Sequence, residues 1–202
     1  MKKLVVIAAT CALFGSATAA LAAGDAAAGK AKSATCAACH NADGNSANPQ
    51  YPKLAGQGEG YLLKQLQDYK SGARVNAIMA GMVAPLSPQD MEDLSAYYAS
   101  QQIARGAADP ALAPVGEAIF RGGNLNSGVS ACMACHGPNG AGIPAAKFPA
   151  IAAQHAEYTE LQLKAFRAME RANDAGQMMR SIASKMTDPE IKAVSSYIQG
   201  LQ

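Results

Sequence analysis

The chain has 202 residues, of which 50% are hydrophobic and 16% are charged, and its formal net charge is +2. This charge balance excludes the strongly basic surface that binding to nucleic acid requires. The aromatic content is 5% and Trp is absent, so no platform for stacking bases is evident either. The length suits two small domains with thin hydrophobic cores.

Residues 1–22 have the composition of a secretory signal peptide. Lys2 and Lys3 give a positively charged start, and an apolar stretch follows over Leu4–Phe14. Ala20–Ala22 matches a cleavage site of the A-x-A type. Because neither this stretch nor any later segment is long enough to span a bilayer, we expect an exported chain without a transmembrane segment. Removing residues 1–22 removes two lysines and no acid, which leaves 15 basic and 15 acidic residues.

The first half of the remaining chain shows helical periodicity only. Asp25 is placed to cap a helix that leads into a Cys-x-x-Cys-His motif at residues 36–40. A longer helix with apolar residues on one face is predicted over Glu59–Ser71. The segment Ser87–Gln101 opens with a capping Ser and a first-turn Pro, which are both signals of a helix start.

The second half repeats this plan. A short helix is predicted over Ala113–Phe120, a second Cys-x-x-Cys-His motif occupies residues 132–136, and a longer helix follows over Tyr158–Arg171. Thr187 opens the last helix, and Glu190 is placed to complete a capping box. Because no alternating strand pattern occurs, we predict an all-α fold.

The two halves align with each other, which indicates an internal duplication. At offsets of 97 or 100 residues the matches include Pro52 with Pro149, Gln57 with Gln154, Tyr61 with Tyr158, Gln65 with Gln162, Met79 with Met179, Leu94 with Val194 and Tyr97 with Tyr197. We therefore predict an N-terminal domain over residues 23–105, a linker over 106–113 and a C-terminal domain over 114–202.

Each motif contributes two thiols and one imidazole: Cys36, Cys39 and His40 in the first, and Cys132, Cys135 and His136 in the second. Cys-x-x-Cys-His is the attachment motif of c-type haem, in which the thiols bond to the porphyrin and the histidine binds the iron. A zinc ribbon would need its Cys pairs about 15–20 residues apart, and a thioredoxin-like dithiol is disfavoured by the histidine after each pair. We predict two covalently bound haem c groups.

The sixth ligand of each iron is predicted from the histidine count. The sequence has three histidines, so at most one haem could take a second one. The third, His155, stands at the start of a predicted helix and is better interpreted as a solvated surface residue. Methionine is the usual alternative donor, and Met79 and Met179 are the methionines that align between the halves. An error of one turn would give the role to Met82 or Met178, whose apolar counterparts favour a core position.

A proline follows each motif histidine at nearly the same spacing. Pro52 lies 12 residues after His40, and Pro149 lies 13 residues after His136. A carbonyl in each of these loops could accept the second N–H of the imidazole, which would fix the ring. A plain turn proline fits the spacing equally well.

With these motifs and the duplicated plan, the chain resembles the cytochrome c4 family. The similarity covers the whole region after residue 22 and is strongest in Tyr51–Gln57, Phe120–Gly123, Leu94–Tyr98 and Val194–Ile198. The resemblance implies two tandem cytochrome c-like helical domains, related by a pseudo-twofold axis, with their haem groups facing each other.

The resemblance also implies ligands and a function. It implies His/Met ligation at both irons, by His40 with Met79 and by His136 with Met179. It implies a periplasmic carrier that passes electrons from the quinol-oxidising complex to a terminal oxidase, with peripheral membrane association in some members of the family.

Two other functions are compatible with the motifs. A dihaem peroxidase would need one iron with an open or displaceable ligand, which a methionine in each half disfavours. A haem subunit of a dehydrogenase would share the same haem chemistry, so the sequence does not separate it from a free carrier. We expect an electron carrier rather than an enzyme.

Overall fold

The computed structural model describes residues 24–201, and the predicted signal peptide over residues 1–22 lies outside them. The first half contains α1 (Ala26–Lys32), α2 (Ala34–His40), α3 (Glu59–Ser71), α4 (Ala77–Val83) and α5 (Pro88–Ala99). The second half contains α6 (Ala113–Gly122), α7 (Met133–His136), α8 (Ala156–Arg167), α9 (Met178–Ala183) and α10 (Asp188–Gly200), with single 3-10 turns at Pro144–Ala146 and Ala175–Gln177. Over residues 24–201 the β pairing is limited to two isolated bridges, so the all-α prediction is confirmed. No helix in this range has both the length and the apolar character needed to cross a membrane.

The helix starts follow the capping residues that the sequence indicated. Asp25 accepts hydrogen bonds from two backbone N–H groups in the first turn of α1. Ser87 and Thr187 each form a capping box, with Asp90 and Glu190 respectively. These side chains satisfy backbone donors that have no partner inside the helix, which is why the helices begin where they do.

The helix predicted to run from Asp25 into the first motif is divided into α1 and α2. The break lies at Ser33, whose hydroxyl donates to the carbonyl oxygen of Lys30 at 2.9 Å. This local side-chain bond competes with the helical pattern of the backbone. The first Cys-x-x-Cys-His motif consequently has a helix of its own.

The C-terminal end of α8 also differs from the prediction. The sequence pattern continued to Arg171, whereas α8 ends at Arg167. Met169 has a φ of 61°, and the N–H of Arg171 donates back to the carbonyl oxygen of Ala165 at 3.1 Å. This turn, which closes the end of the helix, carries Arg171 toward the other half of the molecule.

In each half, the first and last helices cross at a glycine. A Cβ atom on Gly29 of α1 would lie 2.0 Å from the carbonyl oxygen of Asp93 in α5. A Cβ atom on Gly116 of α6 would lie 2.3 Å from the carbonyl oxygen of Ala193 in α10. Because a side chain does not fit at these distances, both crossings depend on glycine and bring the two backbones into direct contact.

Each half has a core of its own. The N-terminal cluster is formed by Leu62, Leu94, Tyr97 and Tyr98. The C-terminal cluster is formed by Ile119, Phe120, Val129, Leu163, Met186, Ile191, Val194, Ile198 and Leu201. The helices thus form two tandem domains of the same plan, and the second has more buried apolar side chains than the first.

Two glutamine side chains join the domains with pseudo-twofold symmetry. The amide of Gln154 bonds to both the backbone N–H and the carbonyl of Lys53, each at 2.9 Å. The amide of Gln57 makes the same two bonds to Ala150, each at 2.8 Å. Gln57 aligns with Gln154, and Lys53 with Ala150, at the offset of 97 residues. The duplication of the sequence is therefore repeated in the contacts between the halves.

Candidate haem-binding sites

The first motif lies on α2 and directs its imidazole into the N-terminal domain. His40 is buried, and its Nδ1 atom lies 2.9 Å from the carbonyl oxygen of Pro52. A carbonyl can only accept, so Nδ1 carries the proton and Nε2 keeps a lone pair for a metal. Burial lowers the pKa of His40, against the opposing effect of the Pro52 carbonyl. The lowered pKa favours the neutral form of the ring, which metal binding requires.

The second motif, which lies on α7, repeats this geometry. His136 is buried, and its Nδ1 atom lies 2.9 Å from the carbonyl oxygen of Pro149. Burial lowers the pKa of this imidazole as well. Of the two interpretations of the loop prolines, the structure supports the one in which their carbonyls orient the motif histidines.

The motif cysteines do not have the properties of redox dithiols or of a zinc site. All four are half-buried and free of disulfide bonds. Burial raises the pKa of Cys36 and raises that of Cys132 to about 11, whereas reactive thiols have a lowered pKa. Among the residues from 24 to 201, no group of three or more His, Cys, Asp or Glu side chains is arranged to hold a metal ion.

The two aligned methionines lie on equivalent short helices. Met79 belongs to α4 and Met179 to α9, and both side chains are half-buried. The prediction that Met82 and Met178 are core residues is wrong, since 46% and 40% of their surfaces are exposed. The reason is that α4 and α9 lie at the surface, and each buries a single side chain.

His155 is not the solvated surface residue that the sequence suggested. It is half-buried ahead of α8, and its Nε2 atom lies 2.8 Å from the carbonyl oxygen of Ser46 in the other domain. The hydroxyl of Ser46 in turn donates to the carbonyl oxygen of Cys39 at 3.0 Å. Ser46 lies in an irregular loop, so no periodic pattern in the sequence could have indicated this contact.

Two buried arginines meet at the boundary between the domains. Arg74 and Arg171 are 8% and 9% exposed, and they align at the offset of 97 residues. Gln65 and Gln162 each accept hydrogen bonds from both guanidinium groups. A tyrosine hydroxyl of the opposite domain accepts one more from each arginine. The signal in the sequence that could have found this pair is the repeat alignment, which places one arginine opposite the other.

The donor set of this arginine cluster fits the acidic groups of haem. Over residues 24–201, the side-chain acceptors that contact the two guanidinium groups are neutral amides and hydroxyls. Buried charges of the same sign are costly unless groups of opposite charge accompany them. Each haem carries propionate groups, and the planar guanidinium is the side chain best suited to bind a carboxylate.

The sequence and the fold match known proteins along nearly the whole described chain. The family model for cytochrome c matches residues 26–102 and 116–202. A cytochrome c4 from Pseudomonas aeruginosa is 55% identical over 181 residues, which cover 89% of this chain and 90% of that protein. The crystal structure of reduced recombinant cytochrome c4 from Pseudomonas stutzeri has a TM-score of 0.87 and 53% identity, and the match covers 89% of this chain and 100% of that chain. The chain belongs to the cytochrome c4 family.

Membership of the cytochrome c4 family establishes the cofactor and the class of function. The chain is a dihaem electron-transfer cytochrome with two covalently bound haem c groups, and it is an electron carrier rather than an enzyme. A further relative is named thiosulfate dehydrogenase electron acceptor, from Thiomonas intermedia. It is 38% identical over 175 residues, covering 83% of this chain and 78% of that protein.

Proposed function

We propose that the protein is a periplasmic carrier that passes electrons from a quinol-oxidising complex to a terminal oxidase, with one haem in each domain. The residues assigned to the haem groups are Cys36, Cys39, His40 and Met79 in the N-terminal domain and Cys132, Cys135, His136 and Met179 in the C-terminal domain. In each set the cysteines bond to the porphyrin, and the histidine and methionine bind the iron.

The duplicated contact between a motif histidine and a proline carbonyl carries this assignment. His40 and His136 are both buried, and both are oriented by a carbonyl at 2.9 Å. A histidine held in this way is typical of a metal ligand, since its second nitrogen is fixed by a neighbouring acceptor. The half-buried positions of Met79 and Met179 support them as the partners, because Met82 and Met178 are more exposed.

When bound, each haem supplies a one-electron couple, and its potential is raised by a methionine ligand. The chain itself holds the two ligands in place. The carbonyl of Pro52 fixes the ring of His40, and the side chain of Asn76 caps α4 by accepting from the N–H of Met79 at 2.9 Å. Ligands on fixed supports change position little between the oxidation states, so little reorganisation opposes electron transfer.

The location and route rest on the sequence and on the family. Residues 1–22 support export through a signal peptide. The resemblance to cytochrome c4 supports the quinol-oxidising complex as donor and a terminal oxidase as acceptor, with peripheral association at the membrane. Fractionation of the source cells tests this proposal. The protein should be recovered in the periplasmic and membrane fractions. Recovery in the cytoplasm alone would contradict it.

Mass spectrometry and spectroscopy test the haem assignment. The processed chain is expected to carry the added mass of two haem groups. In the ferric state both haems are expected to be six-coordinate and low-spin, with the near-infrared band of Met–Fe(III) ligation. High-spin iron in the native protein would count against a methionine on each iron.

Voltammetry of ligand variants tests the individual methionines. Met79→His and Met179→His are each expected to lower one redox wave, by on the order of hundreds of millivolts, and to spare the other. Met82→His and Met178→His are matched controls on the same two helices and should leave both waves in place. A control variant that displaces a wave would transfer the ligand role to the substituted position.

The relative from Thiomonas intermedia favours a second candidate function. That protein is named as an electron acceptor of thiosulfate dehydrogenase, and the match covers most of both chains. We infer that a thiosulfate-oxidising enzyme is an alternative donor for the same haems. Stopped-flow reduction of the protein by thiosulfate dehydrogenase and thiosulfate tests this, and a rate no faster than with the dehydrogenase omitted would rule it out.

A further inference from the structure

The hydroxyl group of Tyr98 is a buried polar atom without a hydrogen-bond partner. Tyr98 is 3% exposed, and among residues 24–201 its Oη is one of two buried side-chain polar atoms left unpaired. An unpaired buried hydroxyl is costly, because it has given up its bonds to water. Burial also raises the pKa of this phenol, so the group keeps its proton and remains a donor.

Two polar neighbours of this hydroxyl are a cysteine of the first haem motif and the serine just before the motif helix. Cys36 packs against the cluster that contains Tyr98, and Cys36, Ser33 and Tyr97 all lie close enough to influence the phenol. The hydroxyl of Ser33 already donates to the carbonyl oxygen of Lys30. Cys36 is therefore the neighbour whose bonding changes when haem is attached.

At the position equivalent to Tyr98 the C-terminal domain has no hydroxyl, and its own unpaired buried hydroxyl belongs to Ser195. Ile198 takes the place of Tyr98, since the carbonyls of the two residues accept from the equivalent N–H groups of Ala153 and Gly56. The ring of Tyr98 lies against Gly44 of the first motif loop, and the side chain of Leu201 lies against the corresponding glycine of the second domain. The space is thus filled in both domains, but the polar atom is present in one.

We propose that Tyr98 donates a hydrogen bond to the sulfur of Cys36 once that sulfur is a haem thioether, and that this bond raises the potential of the N-terminal haem. The inference rests on the proposed attachment of haem at Cys36. A thioether has no hydrogen and can only accept, so the phenol must be the donor. A donor at this sulfur withdraws electron density from the macrocycle and favours the reduced state.

Tyr98→Phe tests the proposal, because it removes the hydroxyl and keeps the ring. Film voltammetry is done in the Met179→His background, where the C-terminal wave is displaced and the remaining wave reports the N-terminal haem. The variant should shift the reduction equilibrium of this haem about threefold to tenfold toward the oxidised form, or about 28 to 59 mV at 59 mV per tenfold for one electron. If the Met179→His background alone displaces no wave, the ligand assignment fails before Tyr98 is changed.

Thermal unfolding of the haem-containing protein gives a readout that does not depend on the potential. If the phenol is bonded to the sulfur, Tyr98→Phe should lower the melting temperature of the N-terminal domain by about 4–8 °C. If the phenol is unpaired in the complete protein, removing it should raise the melting temperature and leave the potential unchanged, which would overturn the proposal.

Tyr97→Phe is the matched control in the same helix. Its hydroxyl donates to the backbone carbonyl of Ala42 at 2.7 Å, so its loss should lower stability without a comparable shift in potential. An equal fall in potential for Tyr97→Phe and Tyr98→Phe would show a general effect of losing a phenol in this cluster. That result would also overturn the role given to Tyr98.

Discussion

The two domains make the same helix crossing with different chemistry. In the N-terminal domain, Lys32 of α1 donates to Asp93 of α5 at 2.8 Å. Asp93 also accepts from the backbone N–H of Asp25 at 3.0 Å. At the equivalent positions the C-terminal domain has Ile119, which is buried, and Ala193. A charged pair in one crossing is thus replaced by buried apolar residues in the other.

This difference teaches which part of the crossing is essential. Gly29 and Gly116 are present in both versions, and both allow backbone contact between the crossing helices. The side chains beside the glycines have diverged, and the C-terminal domain has the larger set of buried apolar residues. The close backbone contact at the crossing is therefore common to the two domains. The side-chain interactions that stabilise the crossing differ between them.

The largest expected difference between the domains concerns Phe120 and its counterpart Ser33. Phe120 is fully buried and packs on Tyr197 with ring centroids 5.5 Å apart, so Phe120→Ala should destabilise the C-terminal domain by about 3–5 kcal/mol. Ser33→Ala removes one local hydrogen bond and should cost the N-terminal domain about 1 kcal/mol. Denaturant unfolding followed by domain-resolved hydrogen exchange measures both. If Phe120→Ala and Ser33→Ala lose equal stability, the two positions contribute equally and the cores do not differ here.

Substitution of the crossing glycines should affect both domains alike. Gly29→Ala and Gly116→Ala each introduce a Cβ atom within 2.3 Å of a carbonyl oxygen and should cost about 1–3 kcal/mol. Gly122→Ala, in the same helix as Gly116, is the control because no atom lies within 4 Å of its Cβ position. It should be neutral or slightly stabilising. Thermal melts of the three variants measure these changes in stability. If Gly116→Ala is tolerated, the crossing helices can separate without a loss of stability.

The sequence was sufficient for the features that depend on neighbouring residues. Capping residues such as Ser87 and Thr187 act on backbone groups within one turn, so the starts of α5 and α10 were predictable. The two haem motifs and the pairing of Pro52 with Pro149 followed from spacing and duplication. The roles of those prolines remained open because spacing does not show where a carbonyl points.

Features that depend on distant contacts were not predictable. Gly29 and Gly116 are restricted by helices more than 60 residues away in the sequence, and His155 is restricted by a loop of the other domain. The repeat alignment pairs Arg74 with Arg171, but it does not show their burial, which depends on the packing of both domains. The hydrophobic periodicity of a sequence indicates which face of a helix is buried, but it does not indicate which residues pack against that face.

Acid should affect the N-terminal crossing more than the C-terminal one. The hydrogen bond from Lys32 is the main cause that lowers the pKa of Asp93 to about 2 from an ordinary value of 3.8. A carboxyl with a lowered pKa contributes stability above its ordinary value, and this contribution is lost as the pH falls from about 4 toward 2. Hydrogen exchange across this range should show the N-terminal domain opening first.

Asp93→Ala copies the residue of the C-terminal domain and tests the cause of that acid sensitivity. The variant should be less stable than the wild type near pH 6, and its stability should depend less on pH between about 4 and 2. Glu92→Ala, at the adjacent position of α5, is the control and should keep the wild-type profile. An unchanged acid profile in Asp93→Ala would assign the sensitivity to another group.

The smallest expected effect is a pH-dependent contact between the domains. Burial lowers the pKa of His155 below 6.5, against the opposing effect of the Ser46 carbonyl, and Lys53 and Glu157 also face the ring. A histidine with a lowered pKa stabilises the folded state fully above 6.5 and progressively less as the pH falls below that value. Exchange of the loop at residues 41–49 should therefore increase below about pH 6.5 in the wild type. His155→Gln keeps an N–H donor but does not titrate, so its exchange should be flat across this range, and a wild-type profile in this variant would exclude the histidine as the cause.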